Sequence, residues 1–416
     1  MSRPVPKKSR TPAPKSAKLP FLPGLGPTGR PVTLGVMGGG QLGRMFIHAA
    51  QAMGYATAVL DPDQASPAGL VSHHHIQTAY LDPDGLAGLA RHCDAITTEF
   101  ENVPAAALLA LSGKCPVAPS AQAVRIAQDR AAEKAHFDRC GVACAPYAVI
   151  ETHEQLKAVA ADLLPGILKT ARMGYDGKGQ IRVKTRAELA RAWARLRHAP
   201  CVLEKMLALQ AEYSVIVARG WDGACVNLPV HRNTHRNGIL ALTEVYQRIM
   251  PEALARQAVL ASKSIAKELN YVGVLCVEFF LVGHARTGKP SLVVNEIAPR
   301  PHNSGHYSMD ACDVSQFELQ VRTLAGLPLV QPRQHSPAAM LNLLGDLWPK
   351  KGNPPWDKVL ALPGTHLHLY GKTQAKPGRK MGHLNITGPT RTQVQATAAQ
   401  AAKLLGIKAF ERLSAN

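Results

Sequence analysis

A short apolar strand near residue 295 ends in a cluster of charged and polar side chains. Residues 293–308 read VVNEIAPRPHNSGHYS, so that Glu296 follows Val-Val-Asn and Arg300, His302 and Asn303 come soon after it. Burying a lone carboxylate costs on the order of several kcal/mol, so Glu296 needs a cation or strong hydrogen-bond partners. The polar loop carries donors that could hold an anionic substrate. The segment therefore predicts a binding site rather than a simple core strand.

A glycine-rich loop lies between two apolar runs in residues 168–183, LKTARMGYDGKGQIRV. Lys169 closes the first run, and the loop between the runs contains Gly174, Asp176, Gly177, Lys178 and Gly179. Glycines let a backbone approach phosphates with its amides, and lysines add charge. The loop is not a Walker loop, because no Gly-Lys-Ser/Thr opens a helix. Taken alone it fits an ordinary hairpin equally well, but together with the Glu296 segment it predicts a phosphate site.

Composition excludes several classes of protein. The chain has 416 residues and 46% hydrophobic content, with no apolar run of eighteen residues, so no membrane span is expected. Its eight cysteines show no CxxC spacing, which favours reduced thiols in the cytoplasm. Residues 1–30 carry seven of the positive charges and no acid, leaving +12 of the net +19 for the rest. This Pro- and Ser-rich leader is predicted to be disordered, and we expect a solvated extension rather than a nucleic-acid-binding arm.

The chain opens with a pattern typical of a βαβ unit. An apolar strand follows Pro31, a helix is predicted over Gln41–Met53, and a second strand over Tyr55–Leu60. The turn between them contains Gly38, Gly40 and Gly43, and Asp61 follows the second strand. This spacing also satisfies the dinucleotide-binding fingerprint, so a nicotinamide-dependent oxidoreductase is a rival hypothesis.

The remaining pattern predicts a mixed α/β (α+β) chain. Helices are expected over about 121–140, 251–269 and 392–405, and strands over 272–282, 292–297 and 365–370, with a β-rich stretch at about 145–212. Ala95–Asn102 is interpreted as a strand end that carries Glu99 and Glu101. The triple histidine His73–His75 is interpreted as surface loop, since it has no spaced partner for a metal.

Five motifs together resemble the ATP-grasp superfamily, and most closely the 5-(carboxyamino)imidazole ribonucleotide synthases of purine biosynthesis. They are GGGQLGRM (38–45), EFENVP (99–104), GYDGKGQ (174–180), NEIAPRPHNSGH (295–306) and KPGRKMGHLN (376–385). The resemblance implies an N-terminal βαβ domain over 31–120, an ATP-grasp domain over 121–329 with a lid at about 145–212, and a C-terminal lobe over 330–416. It also implies a cytoplasmic homodimer.

The resemblance implies a role for each candidate residue at the nucleotide. ATP is expected to contact Arg130, Lys169, Gly174, Tyr175, Asp176, Gly177, Lys178, Gly179, Gln180, Glu204, Lys205, Met206, Leu207, Glu212, His235, Asn295 and Glu296. Of these, Glu204–Leu207 is expected to read adenine and Glu212 the ribose. Glu278 and Glu296 lie on the predicted strand pair, where two carboxylates would repel each other unless Mg²⁺ bridged them to phosphate oxygens.

The second substrate implied is aminoimidazole ribonucleotide, which bicarbonate carboxylates through carboxyphosphate. Its expected contacts are Glu99, Tyr175, Lys178, Arg300, His302, Asn303, Lys372 and Arg379. Lys372 and Arg379 form the natural phosphate clamp. Asp176, Lys178 and Arg300 are the catalytic candidates. Asp176 could handle the amine proton or merely hold the loop. A formate-dependent glycinamide ribonucleotide transformylase is the second hypothesis, although the KPGRKMGHLN motif argues against it.

Overall fold

The structure is a computed structural model, and it describes residues 20–172, 179–283 and 290–411. Among these residues no helix combines the length and apolar character that a membrane crossing requires. Three sheets organise the described chain, two of them small and one that runs through most of its C-terminal two thirds.

The first sheet is parallel and confirms the predicted βαβ opening. Its elements are β1 (Thr33–Met37), α1 (Gln41–Ala52), β2 (Ala56–Leu60), β3 (His74–Ile76), α2 (Pro83–His92), β4 (Ala95–Thr98) and α3 (Ala105–Ser112). The strand order is β3-β2-β1-β4. The apolar face of α1 is buried, with Phe46 and Ile47 in one core cluster with Phe317 of a later helix. Because β1 and β4 are neighbouring parallel strands, their carboxyl ends meet at the glycine turn.

The helix predicted over 121–140 is two helices, α4 (Ala121–Ala127) and α5 (Arg130–Arg139). The break has a local cause, because the Asp129 side chain accepts hydrogen bonds from the Ala131 and Ala132 amides and caps α5. The prediction of one continuous helix was therefore wrong. The break places Arg130 at the first turn of α5, where its backbone amide donates to the Ala171 carbonyl.

The second sheet is small and antiparallel, and it lies in the segment predicted to be the lid, so it is named the lid sheet. Its elements are β5 (Tyr147–Ile150), α6 (His153–Ala158), β6 (Gly166–Thr170), β7 (Gln180–Val183), α7 (Arg186–Arg195) and β8 (Cys201–Lys205), with strand order β5-β8-β6-β7. The strands predicted on either side of the glycine loop are β6 and β7, which pair with each other.

The third sheet has nine strands and extends into the C-terminal lobe. Its elements are β9 (Leu209–Arg219), β10 (Cys225–Asn227), β11 (His231–Arg236), β12 (Ile239–Val245), α8 (Glu252–Glu268), β13 (Gly273–Gly283), β14 (Pro290–Ala298), α9 (Ser308–Ala311), α10 (Gln316–Ala325), β15 (Ala338–Leu344), α11 (Trp356–Leu360), β16 (Thr365–Leu369), β17 (Lys380–Thr387) and α12 (Arg391–Leu404). Because β12 pairs with β15, the lobe continues this sheet rather than forming a separate one.

Two further expectations are corrected. The predicted disordered leader over 1–30 does not extend to residue 30: Phe21 packs on a core cluster, its amide donates to the Ala325 carbonyl, and its carbonyl accepts from the Tyr55 hydroxyl at 2.7 Å. Residues 1–19 lie outside the described residues. The triple histidine is not a plain loop, since His74 and His75 begin the edge strand β3.

Candidate active site

A cavity of about 590 Å³ lies between the lid sheet and the nine-stranded sheet. Residues from α5, both sheets and the loop after β14 line it. Fifteen of the predicted site residues are among them, namely Arg130, Lys169, Gln180, Glu204, Lys205, Met206, Leu207, Glu212, His235, Glu278, Asn295, Glu296, Arg300, His302 and Asn303. The structure thus brings together residues that are up to 173 positions apart in the chain, from Arg130 to Asn303.

Two lysines share one buried carboxylate in the cleft. Lys169 Nζ lies 2.8 Å from Glu204 Oε2, and Lys134 Nζ lies 3.3 Å from Glu204 Oε1. Burial raises the pKa of Glu204, but the two lysines outweigh burial and leave that pKa below its usual value. Glu204 thus holds Lys169 in place and lies at the cavity wall, where a phosphate could compete for the ammonium.

Arg130 and Glu296 form a second ion pair in the cleft. Arg130 Nη1 donates to Glu296 Oε2 at 3.1 Å, and the Glu296 side chain is 41% exposed. Although burial lowers the pKa of Arg130, Glu296 and Glu133 outweigh it and raise that pKa. Glu296 therefore has a protein cation on one side and open cavity on the other.

Glu278 and Glu296 are directly paired across β13 and β14. Burial, together with the nearby Glu296 carboxylate, raises the pKa of Glu278 to about 7. Two facing carboxylates with one raised pKa are a donor set that fits a divalent cation, because Mg²⁺ prefers oxygen ligands. Another group of residues has side chains that can bind metals: one ligand atom each of Cys276, Glu278 and His302 lies within 4.8 Å of the other two. We do not assign it to magnesium, because magnesium disfavours sulfur.

Glu212 and His235 contact each other beside the cavity, on the neighbouring strands β9 and β11. Burial lowers the pKa of His235, but the hydrogen bond with Glu212 and the nearby carboxylates outweigh burial and leave the pKa raised. The predicted ribose carboxylate and the predicted nucleotide histidine are therefore one unit, in which His235 orients Glu212.

The last residue of β8, Lys205, and the linker residues Met206 and Leu207 line the cavity. The Lys205 and Met206 amides already donate to the Pro146 and Pro165 carbonyls, both at 2.9 Å. These two amides are engaged within the protein, so the prediction that this segment reads adenine rests on its other groups and on the 42% exposed Met206 side chain.

The loop after β14 carries the polar groups predicted to hold the second substrate. Arg300 forms a partly buried ion pair with Glu101, and this pair raises the pKa of Arg300 against the lowering effect of burial. His302 Nε2 lies 3.3 Å from Glu278 Oε1. Burial lowers the pKa of His302 well below its usual value, and Arg300 lowers it further. Both polar atoms of the buried Asn303 side chain lack a protein hydrogen-bond partner, which points to a bound ligand.

Lys372 and Arg379 lie outside the residues that line the cavity. Lys372 Nζ donates to Gln41 Oε1 at 2.8 Å and to the Lys380 carbonyl at 2.9 Å, so the C-terminal lobe reaches the start of α1. Burial, together with the Arg379 charge, lowers the pKa of Lys372 to about 8. Lys380, next to Arg379 in the chain, does line the cavity.

The glycine turn before α1 is closed by carboxylates of the protein itself. Glu99 accepts hydrogen bonds from the Gly40, Leu42 and Gly43 amides at 2.9, 3.1 and 3.0 Å. A Cβ at Gly40 would lie 2.5 Å from Glu99 Oε1, so a larger residue there would displace the carboxylate from the turn. A pyrophosphate would need these same amides. Glu99 therefore occupies the place of the ligand, and it does not line the central cavity.

The acidic residue of the dinucleotide fingerprint is used in the same way. Asp61 Oδ2 accepts from the Gly39 amide and from the Tyr80 hydroxyl, both at 2.6 Å. Its carboxylate is thus turned toward the turn rather than toward a ribose. Both halves of the fingerprint serve internal contacts, so the oxidoreductase hypothesis loses its structural basis.

The predicted loop residues Gly174, Tyr175, Asp176, Gly177 and Lys178 lie outside the described residues. Gly179 is described, and its φ of +72° is a conformation that favours glycine.

Sequence reasoning missed several residues of the cleft. Lys134 is buried, and Glu133 beside it accepts a hydrogen bond from the Ile297 amide; burial raises the pKa of Glu133 to about 8. The four-residue spacing of Arg130 and Lys134 on one helix could have signalled that both face the cleft. Glu101 had been noted only as a charge at a strand end, and nothing in its local sequence identifies Arg300 as its partner.

Comparisons with known proteins agree along the chain. Family models match for a ribonucleotide synthetase preATP-grasp domain over residues 32–128, an ATP-grasp domain over 135–317 and a phosphoribosylaminoimidazole carboxylase C-terminal domain over 338–397. An N5-carboxyaminoimidazole ribonucleotide synthase of Bacillus subtilis is 42% identical over 354 residues, which are 85% of this chain and 90% of that protein.

Two solved structures are similar throughout. An N5-carboxyaminoimidazole ribonucleotide synthetase in complex with ADP has 38% sequence identity and a TM-score of 0.82, covering 93% of this chain and 97% of that one. The synthase of Aspergillus clavatus, solved with ADP and 5-aminoimidazole ribonucleotide, has 29% identity and a TM-score of 0.80, covering 90% and 98%.

Proposed function

This chain belongs to the N5-carboxyaminoimidazole ribonucleotide synthase family of ATP-grasp ligases, and we propose how its cleft carries out the family's reaction. The enzyme carboxylates 5-aminoimidazole ribonucleotide at the expense of ATP, in purine biosynthesis. One observation supports the assignment of residues. The Lys169–Glu204 and Arg130–Glu296 pairs line the same cavity as Arg300, His302 and Asn303.

At the nucleotide end, Lys169 and Arg130 bind phosphate oxygens, while Glu212 binds the ribose, held by His235. Glu278 and Glu296 are the residues that would hold Mg²⁺, which would neutralise charge on the phosphates. Lys134 keeps Glu204 ionised and so fixes Lys169. The support is that every one of these groups either lines the cavity or pairs with a group that does.

At the other end, the ribonucleotide binds near Arg300, His302 and Asn303, with its phosphate held by Lys372 and Arg379. A bicarbonate oxygen attacks the γ-phosphorus of ATP, and ADP leaves to give carboxyphosphate. This breaks down to carbon dioxide and phosphate. The exocyclic amine then forms a carbon–nitrogen bond to the carbon dioxide and loses a proton. Arg300 stabilises the developing negative charge. Asp176 and Lys178 remain predicted catalytic residues of the loop, and Glu99 remains a predicted substrate contact.

The resemblance also favours a cytoplasmic homodimer. All eight cysteines are free in the structure, which fits a reducing compartment. Sedimentation of the purified chain would measure its oligomeric state, with a monomer at working concentration as the contrary result.

The direct test measures ADP formation with combinations of substrates. We expect ADP release to need Mg²⁺ and to rise strongly with aminoimidazole ribonucleotide plus bicarbonate. Glycinamide ribonucleotide plus formate serves as the comparison, and stimulation by that pair instead would favour the transformylase alternative.

A further inference from the structure

The short junction between α4 and α5 contributes three consecutive residues to the surroundings of the cleft. Arg130 pairs with Glu296 in the cleft, and the Asp129 side chain caps α5. Gln128 comes directly before them and ends α4, where its backbone amide donates to the Val124 carbonyl at 2.9 Å. Gln128 also lines the cavity. Its main chain is thus fixed by the end of one helix and the start of the next.

The Gln128 side chain holds the bend that follows β4. Its Nε2 group donates to the Glu101 carbonyl and to the Val103 carbonyl, both at 2.7 Å. Because a carbonyl oxygen only accepts hydrogen bonds, the donating end of the Gln128 amide must face the bend, and both of its hydrogens are used. Within the described part of the chain, neither carbonyl has another hydrogen-bond donor. Gln128 therefore ties residues 101–103 to the end of α4.

This bend presents the Glu101 carboxylate to Arg300. Glu101 accepts a hydrogen bond from Arg300 Nε, and Arg300 Nη1 donates to the Pro301 carbonyl at 3.1 Å. Among the described residues no acceptor is found for Arg300 Nη2. Glu101 and Arg300 both line the cavity. Two of the three guanidinium nitrogens are thus engaged by the protein, and the third is left for a ligand.

We propose that Gln128 is a positioning residue for Arg300, and that it acts through Glu101. The proposal rests on the proposed function, in which Arg300 serves the ribonucleotide. A free arginine side chain samples many rotamers, so a carboxylate that fixes Nε lowers the cost of ordering it at the substrate. That carboxylate is itself fixed only if its backbone is held, and Gln128 holds it.

The arrangement predicts that the two substrates are affected differently. Gln128 reaches Arg300 through the bend at residues 101–103, whereas Arg130 reaches Glu296 directly with its own side chain. Losing the donors of Gln128 should therefore impair use of the ribonucleotide and spare the binding of ATP.

The test compares kinetics with hydrogen exchange in the full chain. Gln128→Met keeps a side chain of similar length but removes both donors. It should lower kcat/KM for aminoimidazole ribonucleotide roughly tenfold or more, because a displaced catalytic group is costly, while KM for ATP stays within about twofold. Amide exchange over residues 99–104 should become faster, and exchange within α5 should not change.

A double-mutant cycle with Glu101→Gln shows whether Gln128 acts through Glu101. If it does, adding Gln128→Met to Glu101→Gln should lower kcat/KM for the ribonucleotide by no more than about a further twofold. Losses that multiply would mean that Gln128 contacts the substrate directly, and they would overturn the proposal.

Gln320→Met is the matched control. Gln320 is a buried glutamine whose Nε2 donates to β4 itself, to the Thr97 hydroxyl at 3.2 Å and to the Thr98 carbonyl at 3.3 Å. Its loss should leave kcat/KM for the ribonucleotide within about twofold even where melting temperature falls. Equal kinetic losses in Gln320→Met and Gln128→Met would overturn the proposal. Unchanged exchange over residues 99–104 in Gln128→Met would overturn it as well.

Failure of the proposed function is a separate outcome. It would appear in the wild-type enzyme, as ADP release that does not respond to aminoimidazole ribonucleotide. The role of Gln128 would fail instead in variants of an enzyme that does respond, and the exchange measurement needs no turnover.

Discussion

The glycine turn before α1 and the central cleft both have the sequence features of a phosphate site. They differ in whether their hydrogen-bond donors are already engaged by a protein carboxylate or face an open cavity. At the turn, Glu99 is buried and its oxygens accept hydrogen bonds from three backbone amides. In the cleft, Glu296 pairs with Arg130 but is 41% exposed on a large cavity. A glycine-rich turn thus indicates where amides are presented, and a ligand site additionally requires that those donors remain available.

The largest expected effect lies in the cleft. Glu296→Gln should lower kcat by roughly a hundredfold or more, because losing a metal ligand removes several kcal/mol of charge stabilisation and each ~1.4 kcal/mol is tenfold in rate. Melting temperature should stay within a few degrees. Glu252→Gln, at an exposed helix position, is the matched control. A fully active Glu296→Gln enzyme with unchanged magnesium dependence would remove Glu296 from the site.

A second variant probes the substrate end. Arg379→Ala should raise KM for aminoimidazole ribonucleotide about ten- to a hundredfold and leave KM for ATP nearly unchanged, since a charge-assisted phosphate contact contributes about 1.5–3 kcal/mol. Arg333→Ala, which removes an exposed arginine paired with Asp313, should change neither constant. An equal rise for both substrates would place this lobe at the nucleotide instead.

The role of Glu99 in closing the glycine turn can be tested by removing the charge of its side chain. Glu99→Gln should lower the free energy of unfolding by about 1–3 kcal/mol, because an amide oxygen cannot accept from all three backbone donors and its NH₂ group faces one of them. Chemical denaturation measures this. Glu154→Gln, in the lid helix α6, is the control and should be neutral. If Glu99→Gln raises KM for the ribonucleotide at unchanged stability, Glu99 contacts substrate rather than closing the turn.

The smallest effect is expected at the N-terminus. Deleting residues 1–19 should leave melting temperature and activity unchanged. Deleting residues 1–30 should lower melting temperature, because it removes the Phe21 contacts with the core and with Tyr55. Equal melting temperatures for both truncations would show that those contacts add little stability.

Sequence reasoning predicted many of the local elements and many of the residues that line the cleft, because periodicity and motif spacing are local properties. The strands that flank residues 173–178, the paired strands of Glu278 and Glu296, and the βαβ opening were all predicted. What failed depends on distant contacts. Nothing near Gly40 shows that Glu99, 59 residues later, fills the turn. Likewise, the break at Asp129 becomes clear only once its side chain is seen to cap α5.

The C-terminal motif KPGRKMGHLN illustrates the same limit. The sequence analysis assigned site roles only to its cations, yet its last residues have structural contacts. Asn385 donates to the His306 carbonyl at 2.9 Å and to Asp310 at 2.6 Å, and the His383 ring lies against His306. These contacts join β17 to the loop that carries His302 and Asn303. The motif therefore serves the site partly by positioning that loop.

The most direct test of the cleft as a nucleotide-driven carboxylation site follows ¹³C-labelled bicarbonate in wild-type enzyme with ATP and aminoimidazole ribonucleotide. NMR during turnover should show one labelled carboxyl carbon on the exocyclic nitrogen for each ADP formed. Lys169→Ala should lose the labelled product and the ADP together, since Lys169 lies at the cavity wall beside Glu204. Labelled product formed without ADP, or an unchanged rate in Lys169→Ala, would contradict the account.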